Sequence, residues 1–345
     1  MHMADALISP AVGGAVWAAT AGLTVYSAKK LKEDLDEHLV PLMGVLGAFI
    51  FAAQMLNFTI PATGSSGHLG GGMILAILLG PYAAFLVMAS VLAIQALFFA
   101  DGGLLALGCN IFNLGFFPCF IAYPFIYQKI VGAQPARGRI LLGAMVSAIM
   151  GLQLGAFGVV LETLFSGISE LPFSTFVLLM QPIHLGIGIV EGLVTAAVVG
   201  FVWKAHPETL ALAKSFASAK VHSHKPLLIG LAMFAVVAGG MLSWFASTHP
   251  DGLEWAIKGV SGKEELEAPK AGVHGAMAWI QENLAFLPDY NFKKAAEEKG
   301  GKEGESWPEV SAGKSLAGIV GAALTLLMAG AIGFGLRRYN ALSKG

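Results

Sequence analysis

GGGMILAILLGPYAAFLVMASVLAIQALFF, residues 70–99, is the stretch on which the fold turns. It holds two apolar runs, 70–80 and 82–99, parted by Gly80-Pro81. A helix needs roughly 20 residues to cross a bilayer, so the first run is short on its own. One kinked helix over 70–99 is the competing reading. The rest of the chain decides between them. Further apolar runs lie at about 11–28, 40–56, 104–128, 140–160, 173–203, 226–246 and 315–336. Counting 70–80 separately gives nine spans.

With the N-terminus outside, the inner segments are 29–39, 129–139, 204–225 and 337–345, and they carry 13 of the 21 Lys+Arg. The outer loops 57–69, 100–103 and 161–172 carry none. The other eight fall in the long segment 247–314 beside twelve acidic residues, and long translocated segments largely escape the positive-inside bias. Merging 70–99 would move Lys129, Arg137 and Arg139 outside, so nine spans are expected. The first basic residues, Lys29, Lys30 and Lys32, follow the first apolar run. An outward, uncleaved N-terminus is therefore expected.

The 345 residues have a mean hydropathy of +0.70 and only 12% charged side chains, against about 25% in soluble domains. The fold class expected is an all-α polytopic membrane protein. A net charge of −1 gives no case for nucleic acid as a partner. The two cysteines, Cys109 and Cys119, cannot close a disulfide within one helix and read as buried thiols. Three parts follow: a seven-span core at 1–203, a polar cytoplasmic linker at 204–225, and a two-span hairpin at 226–345 around an extracellular segment. That segment includes the Gly-, Lys- and Glu-rich stretch Lys299–Glu305.

The start of the chain carries the chemistry. Large His2 disfavours removal of Met1, which leaves a free amine. The Met1 amine, the His2 backbone nitrogen and the His2 imidazole can close five- and six-membered chelate rings on one ion. Cu(II) and Ni(II) promote loss of the amide proton this requires, and three nitrogens so arranged favour a square-planar site with one open position. His68, in the glycine-rich outer loop Thr63–Gly72, is the best candidate for that position. The competing reading makes His68 a solvated loop histidine.

At this point the chain resembles the CbiM/NikM substrate-binding (S) components of energy-coupling-factor importers for cobalt and nickel. The matching pieces are Met1-His2 with Asp5 and Pro10, then Asn57–Pro61 and Gly64-Ser-Ser-Gly-His68. They continue with Gly80-Pro81, Gln95–Gly103, Ala106–Asn110, Pro182-Ile-His184 and Glu191-Gly192. Pro250-Asp-Gly-Leu-Glu254 spells the PDGLE motif of a domain that accompanies these proteins. The resemblance implies a NikMN-like fusion in a bacterial cell membrane, N-terminus outside and C-terminus cytoplasmic. It implies metal held by Met1, His2 and His68, with Ni2+ favoured over Co2+ by the PDGLE fusion. It also implies a transmembrane coupling (T) subunit of CbiQ/NikQ type and two ATPase subunits of CbiO/NikO type. This chain would then be no enzyme, and the transported ion would be its only ligand, with no cofactor. Two departures stand out: Ser66-Gly67-His68 where Ser-Ser-His is common, and Cys109 where alanine is usual.

Other polar residues are weighed against that reading. Ser66, Asn110 and His184 are candidates for supporting the metal ligands; a helix-packing asparagine is the alternative for Asn110. His184 should begin about three turns below the outer surface. Glu191 should pair with a polar neighbour or the coupling subunit, and His249 and His274 could pre-capture metal. Ala11, Ala15 and Ala19 line one face of the first span, where small residues let another helix approach, or simply pack the core. A membrane metalloenzyme would need a His-Glu-x-x-His-like cluster, which is missing. A stand-alone channel or carrier would need several polar spans, whereas Glu191 is almost the only charge in mid-span.

Overall fold

A computed structural model describes residues 2–34, 39–132, 136–205, 225–293 and 307–344. Met1, most of the 204–225 linker with His222 and His224, and Lys299–Glu305 lie outside the described residues. Among the described residues the fold is all-α apart from one small antiparallel hairpin, β1 Phe58–Ile60 with β2 Ser65–Gly67, which pairs Phe58 with Gly67.

Each of the nine apolar runs is helical. The core contains α1 Pro10–Asp34, α2 Leu39–Gln54, α3 Gly72–Leu79, α4 Pro81–Phe99, α5 Leu107–Val131, α6 Arg137–Ser166 and α7 Phe173–Ala205. The C-terminal part contributes α8 Lys225–Gly240, short α9 Gly252–Ser261 and α10 Gly272–Leu284, and α11 Ala312–Lys344. Six of these helices, α1, α4, α5, α6, α7 and α11, are long and apolar enough to cross a membrane. Apolar α2 and α8 are shorter. Helix α3, at eight residues, falls far short of the roughly 20 needed to cross alone, so the nine expected spans are nine apolar helices and not nine full-length crossings. Within α5, Phe112–Tyr127 winds in the wider π register, which accommodates Pro118 and Pro124, residues without an N–H to donate.

The 70–99 stretch is two legs. His2 touches residues at both ends of it: its ring stacks on His68 with centroids 4.9 Å apart, and its Nδ1 lies 3.2 Å from Asp101. One continuous helix over 72–99 would set those ends roughly 42 Å apart. The chain instead turns at Gly80, where φ is +78°, and Pro81 begins α4 with the one residue that needs no N–H partner there. The turn returns Asp101 to the face carrying the N-terminus. At the opposite end, Lys32 at the close of α1 lies over the Tyr339 ring of α11, 3.9 Å from its centroid.

The segment between α8 and α11 folds back over the N-terminal face as a roof. The Ser66 N–H donates to the Pro250 carbonyl at 2.8 Å and the Ser247 N–H to the Asn57 carbonyl at 2.8 Å. Gln281 on α10 donates to the carbonyls of Ala96 and Gly102. The roof hangs from a tight helix pair. A Cβ on Gly239 of α8 would stand 2.9 Å from the carbonyl carbon of Gly318 on α11, so these two backbones touch. Three residues along α11, Gly321 leaves room for the Phe51 ring of α2.

Gly318→Leu should force α8 from α11 and destabilise the protein by about 1–3 kcal/mol. Gly330→Ala, where a Cβ meets nothing within 4 Å, should leave stability unchanged. Thermal unfolding in detergent compares the two; equal melting temperatures would count against this contact.

Candidate metal centre

The start of the chain is fixed through its backbone. The Met3 N–H donates to Asn110 Oδ1 at 2.8 Å, while the Met3 carbonyl accepts from Asn110 Nδ2 at 3.2 Å and from the Gly103 N–H at 2.9 Å. Asp5 Oδ1 accepts the Ala106 N–H at 2.9 Å. Asp101-Gly-Gly103 makes this approach possible. Gly102 has φ +79°, and a Cβ there would stand 2.8 Å from Asn110 Nδ2; on Gly103 it would overlap the Asp5 carboxylate. His274 of the roof donates from Nε2 to the Ile8 carbonyl at 2.9 Å. It is buried and fastens the N-terminal segment, so it is no surface metal trap.

His2 and His68 meet with rings 10° from parallel. His68 leaves the β-hairpin with Nδ1 3.1 Å from the Leu69 carbonyl, which places the proton on that nitrogen, and its Nε2 lies 3.9 Å from Asp251 Oδ2. Burial holds both imidazoles down at about 3, from an ordinary 6.5. Both rings are therefore neutral near pH 7, the form that coordinates a metal. The six-membered chelate ring uses His2 Nδ1, the atom now facing Asp101, so an ion bound that way displaces this contact. Tyr290 donates its hydroxyl to the other Asp101 oxygen at 2.5 Å. Burial pushes the Asp101 carboxyl up, and the Tyr290 bond pulls it back. Among the described residues, no three His, Cys, Asp or Glu side chains are already gathered for a metal. A site formed on the His2 side without side-chain movement draws on backbone nitrogen as well.

PDGLE is a structural phrase. Pro250 supplies the carbonyl that pairs with Ser66. Asp251 caps α9, its Oδ1 accepting the N–H groups of Leu253 (2.7 Å) and Glu254 (2.9 Å), and Glu254 returns a bond to the Asp251 N–H at 2.8 Å. Gly252 sits where a Cβ would be 2.8 Å from Ile187 and 3.1 Å from the His184 ring. Leu253 is buried beneath the helix. The motif thus sets Asp251 over His68. Core and roof together bound a cavity of about 600 Å³ around His2, His68, Asp101 and Tyr290. Its wall also carries Asp251, Glu254, Glu264, Glu265 and Asp289 against Lys314, an acidic lining that attracts cations.

The remaining expected residues have these places. Ser66 does not face the histidines; its hydroxyl donates to the His249 carbonyl at 2.8 Å and helps to seat the roof. Asn110 orders the N-terminal backbone and not the His68 loop. His184 is not three turns below the site, because α7 runs for 33 residues, roughly 50 Å. Its outer turns rise beside the roof, with Leu179 against Gly259 of α9. His184 is thereby level with His68. Glu191 accepts the N–H groups of Gly70 (3.0 Å) and Gly71 (2.9 Å) and anchors the loop below His68. Cys109 and Cys119 are buried free thiols. Asp101, Tyr290 and Asp251 were not singled out from the sequence, although Asp101 and Asp251 sit inside the two most distinctive motifs.

A family model for the cobalt uptake substrate-specific transmembrane region matches residues 2–209, and one for the PDGLE domain matches residues 225–338. A putative fused nickel transport protein NikMN of Archaeoglobus fulgidus is 32% identical, covering 98% of this chain and 99% of its own. The fused nickel transport protein NikMN of Rhodobacter capsulatus is 32% identical over 84% of this chain and 88% of its own. The cobalt transport protein CbiM of Sorangium cellulosum is 29% identical over 61% of this chain and 94% of its own. A crystal structure of a transition metal transporter superposes with a TM-score of 0.54 at 30% identity, covering 62% of this chain and 97% of that one.

Two outcomes test this geometry. The ring resonances of labelled His2 and His68 should keep neutral-imidazole positions from pH 7 to pH 5, while an ordinary exposed histidine titrates near 6.5. Asn110→Ala should leave the Met3 amide unpaired, cost about 1–3 kcal/mol and speed hydrogen exchange at that amide.

Proposed function

The chain belongs to the cobalt-uptake substrate-specific family and is a multi-pass membrane component of metal uptake, and we propose that it captures Ni2+ for an energy-coupling-factor importer. The ion is held by the Met1 amine, the His2 backbone nitrogen, His2 Nδ1 and His68 Nε2. The observation that carries this reading is the pairing of His2 with His68, 4.9 Å apart, beside a backbone clamped at Met3. A chelate built on backbone nitrogen needs that clamp, since no rotamer can bring its donors into line. Neutral rings, an acidic cavity and the absence of a preassembled side-chain cluster among the described residues agree with it. The named function of the two fused relatives favours nickel; cobalt is the alternative, carried by the CbiM relative.

The domain division goes with this reading: a CbiM/NikM-like core at 1–203, a linker at 204–225 and the PDGLE part at 226–345. The N-terminal face is outside and the C-terminus cytoplasmic. A coupling subunit and two ATPase subunits drive transport, and this chain hydrolyses nothing. Ala11, Ala15 and Ala19 are exposed on α1, and Gly14 and Gly22 beside them have open space where a Cβ would be. That open, small-residue face suits a second helix and supports docking of the coupling subunit there.

Calorimetric titration with Ni2+ tests the capture site. One residue inserted before Met1 should abolish tight binding, and His68→Ala should weaken it by about a hundredfold or more. Unchanged affinity in the extended protein would sink the chelate. Ala15→Trp should prevent co-purification of the coupling subunit and leave nickel binding intact. Uptake by this chain alone, without ATPases, would favour a carrier instead.

A further inference from the structure

His184 is left unused by the capture site. It is 1% exposed, and its Nδ1 donates to the Met180 carbonyl at 2.8 Å, which fixes the ring proton there. Nε2 then carries a lone pair, and it has no hydrogen-bond partner. A buried acceptor left so has lost its water with no bond in return. An imidazole whose N–H is tied to a backbone carbonyl is also the usual posture of a metal-ligating histidine.

The lone pair faces a second, small cavity of about 10 Å³ bounded by His68, His184, Asp251 and Gly252, with apolar Leu114 and Ile187 behind them. That is room for roughly one water-sized sphere. Gly252 of PDGLE is needed here, because a Cβ on it would stand 3.3 Å from His184 Nε2. His68 therefore borders two spaces, the large cavity on the His2 side and this one on the α7 side.

We propose that this small cavity is a second, weaker position for the transported divalent cation, with His184 Nε2, His68 Nε2 and the Asp251 carboxylate as ligands. The proposal rests on the capture reading above and gives the captured ion an adjoining place to move to. Two imidazoles and a carboxylate suit Ni(II), Co(II) and Zn(II) alike. They require no amide deprotonation, so this position is less selective than the chelate. His68 Nε2 and Asp251 Oδ2 stand 3.9 Å apart; the three side chains are not gathered as they stand, and the ion would draw them together, using the Asp251 oxygen that does not cap α9.

The test uses the full chain and nickel alone. With one residue inserted before Met1, a saturable residual binding should remain, about a hundredfold or more weaker than in the unmodified protein. Adding His184→Gln should remove it. With the natural N-terminus, His184→Gln should keep tight binding yet lower ATP-driven uptake, assayed with the coupling and ATPase subunits, by about tenfold or more. Melting temperatures of His184→Gln and His184→Asn identify a variant that fails to fold, and the other then serves. Residual binding unaffected by residue 184, no residual binding at saturating nickel, or full uptake by His184→Gln would each overturn the proposal. Loss of tight binding in His184→Gln would also overturn it, by placing His184 in the capture site. Undiminished tight binding in the extended protein defeats the capture reading alone; the His184→Gln comparison in that protein then decides the second position.

Discussion

Everything at the N-terminal face depends on one backbone constraint: both the N–H and the carbonyl of Met3 are committed to the α4–α5 turn and Asn110. A metal site built from side chains tolerates some looseness, because rotamers can adjust. One built from an amine and a backbone nitrogen cannot. The residue after the donors must be held, and here both of its hydrogen-bonding groups are. The glycines at 102 and 103 follow from that demand, since any side chain there would push the N-terminal strand away. Asp5 and His274 extend the same hold to residues 5–8.

Electrostatics in this closed space work through neutral donors and nearby carboxylates. A dication entering a buried site loses hydration that the protein must replace. Neutral imidazoles supply lone pairs without repelling it, because burial keeps them deprotonated. Asp101 and Asp251 supply charge, Asp101 standing beside the His2 nitrogen that the ion would take and Asp251 beside His68. Each is itself organised, Asp101 by Tyr290 and Asp251 by its helix cap. In the proposed chelate, amide deprotonation leaves one net positive charge. These two carboxylates are the groups placed to offset it.

Most of the architecture was legible in the sequence because membrane constraints are simple. Apolar runs gave the nine helices, and the placement of Lys and Arg resolved the Gly80-Pro81 ambiguity that local pattern left open. His2 and His68 could be grouped on one face by counting crossings, and the structure brings their rings together. What could not be counted was lateral: that the roof lies over this site, that Ser66 pairs with Pro250, and that Tyr290 reaches Asp101 across 189 positions. Periodicity carries no signal for such contacts. Helix length misled in one instance. Counting turns from the start of α7 puts His184 three turns down, but the first turns of this helix stand beside the roof, so His184 lies level with His68.

The roof and the floor of the site hang from the same helices, and this ties the fused domain to the core mechanically. Helix α2 leads into the hairpin that ends at His68, and α4 ends at Asp101. Helix α11 packs on both and, through the close contact of Gly318 with Gly239, also carries α8, from which the roof strand runs to Asp251. The roof also holds the N-terminal segment, through His274 to the Ile8 carbonyl and Gln281 to the Gly102 carbonyl beside the turn that clamps Met3. The clamp on Met3 and the carboxylate above His68 are therefore parts of one assembly, and the fused domain bears on both.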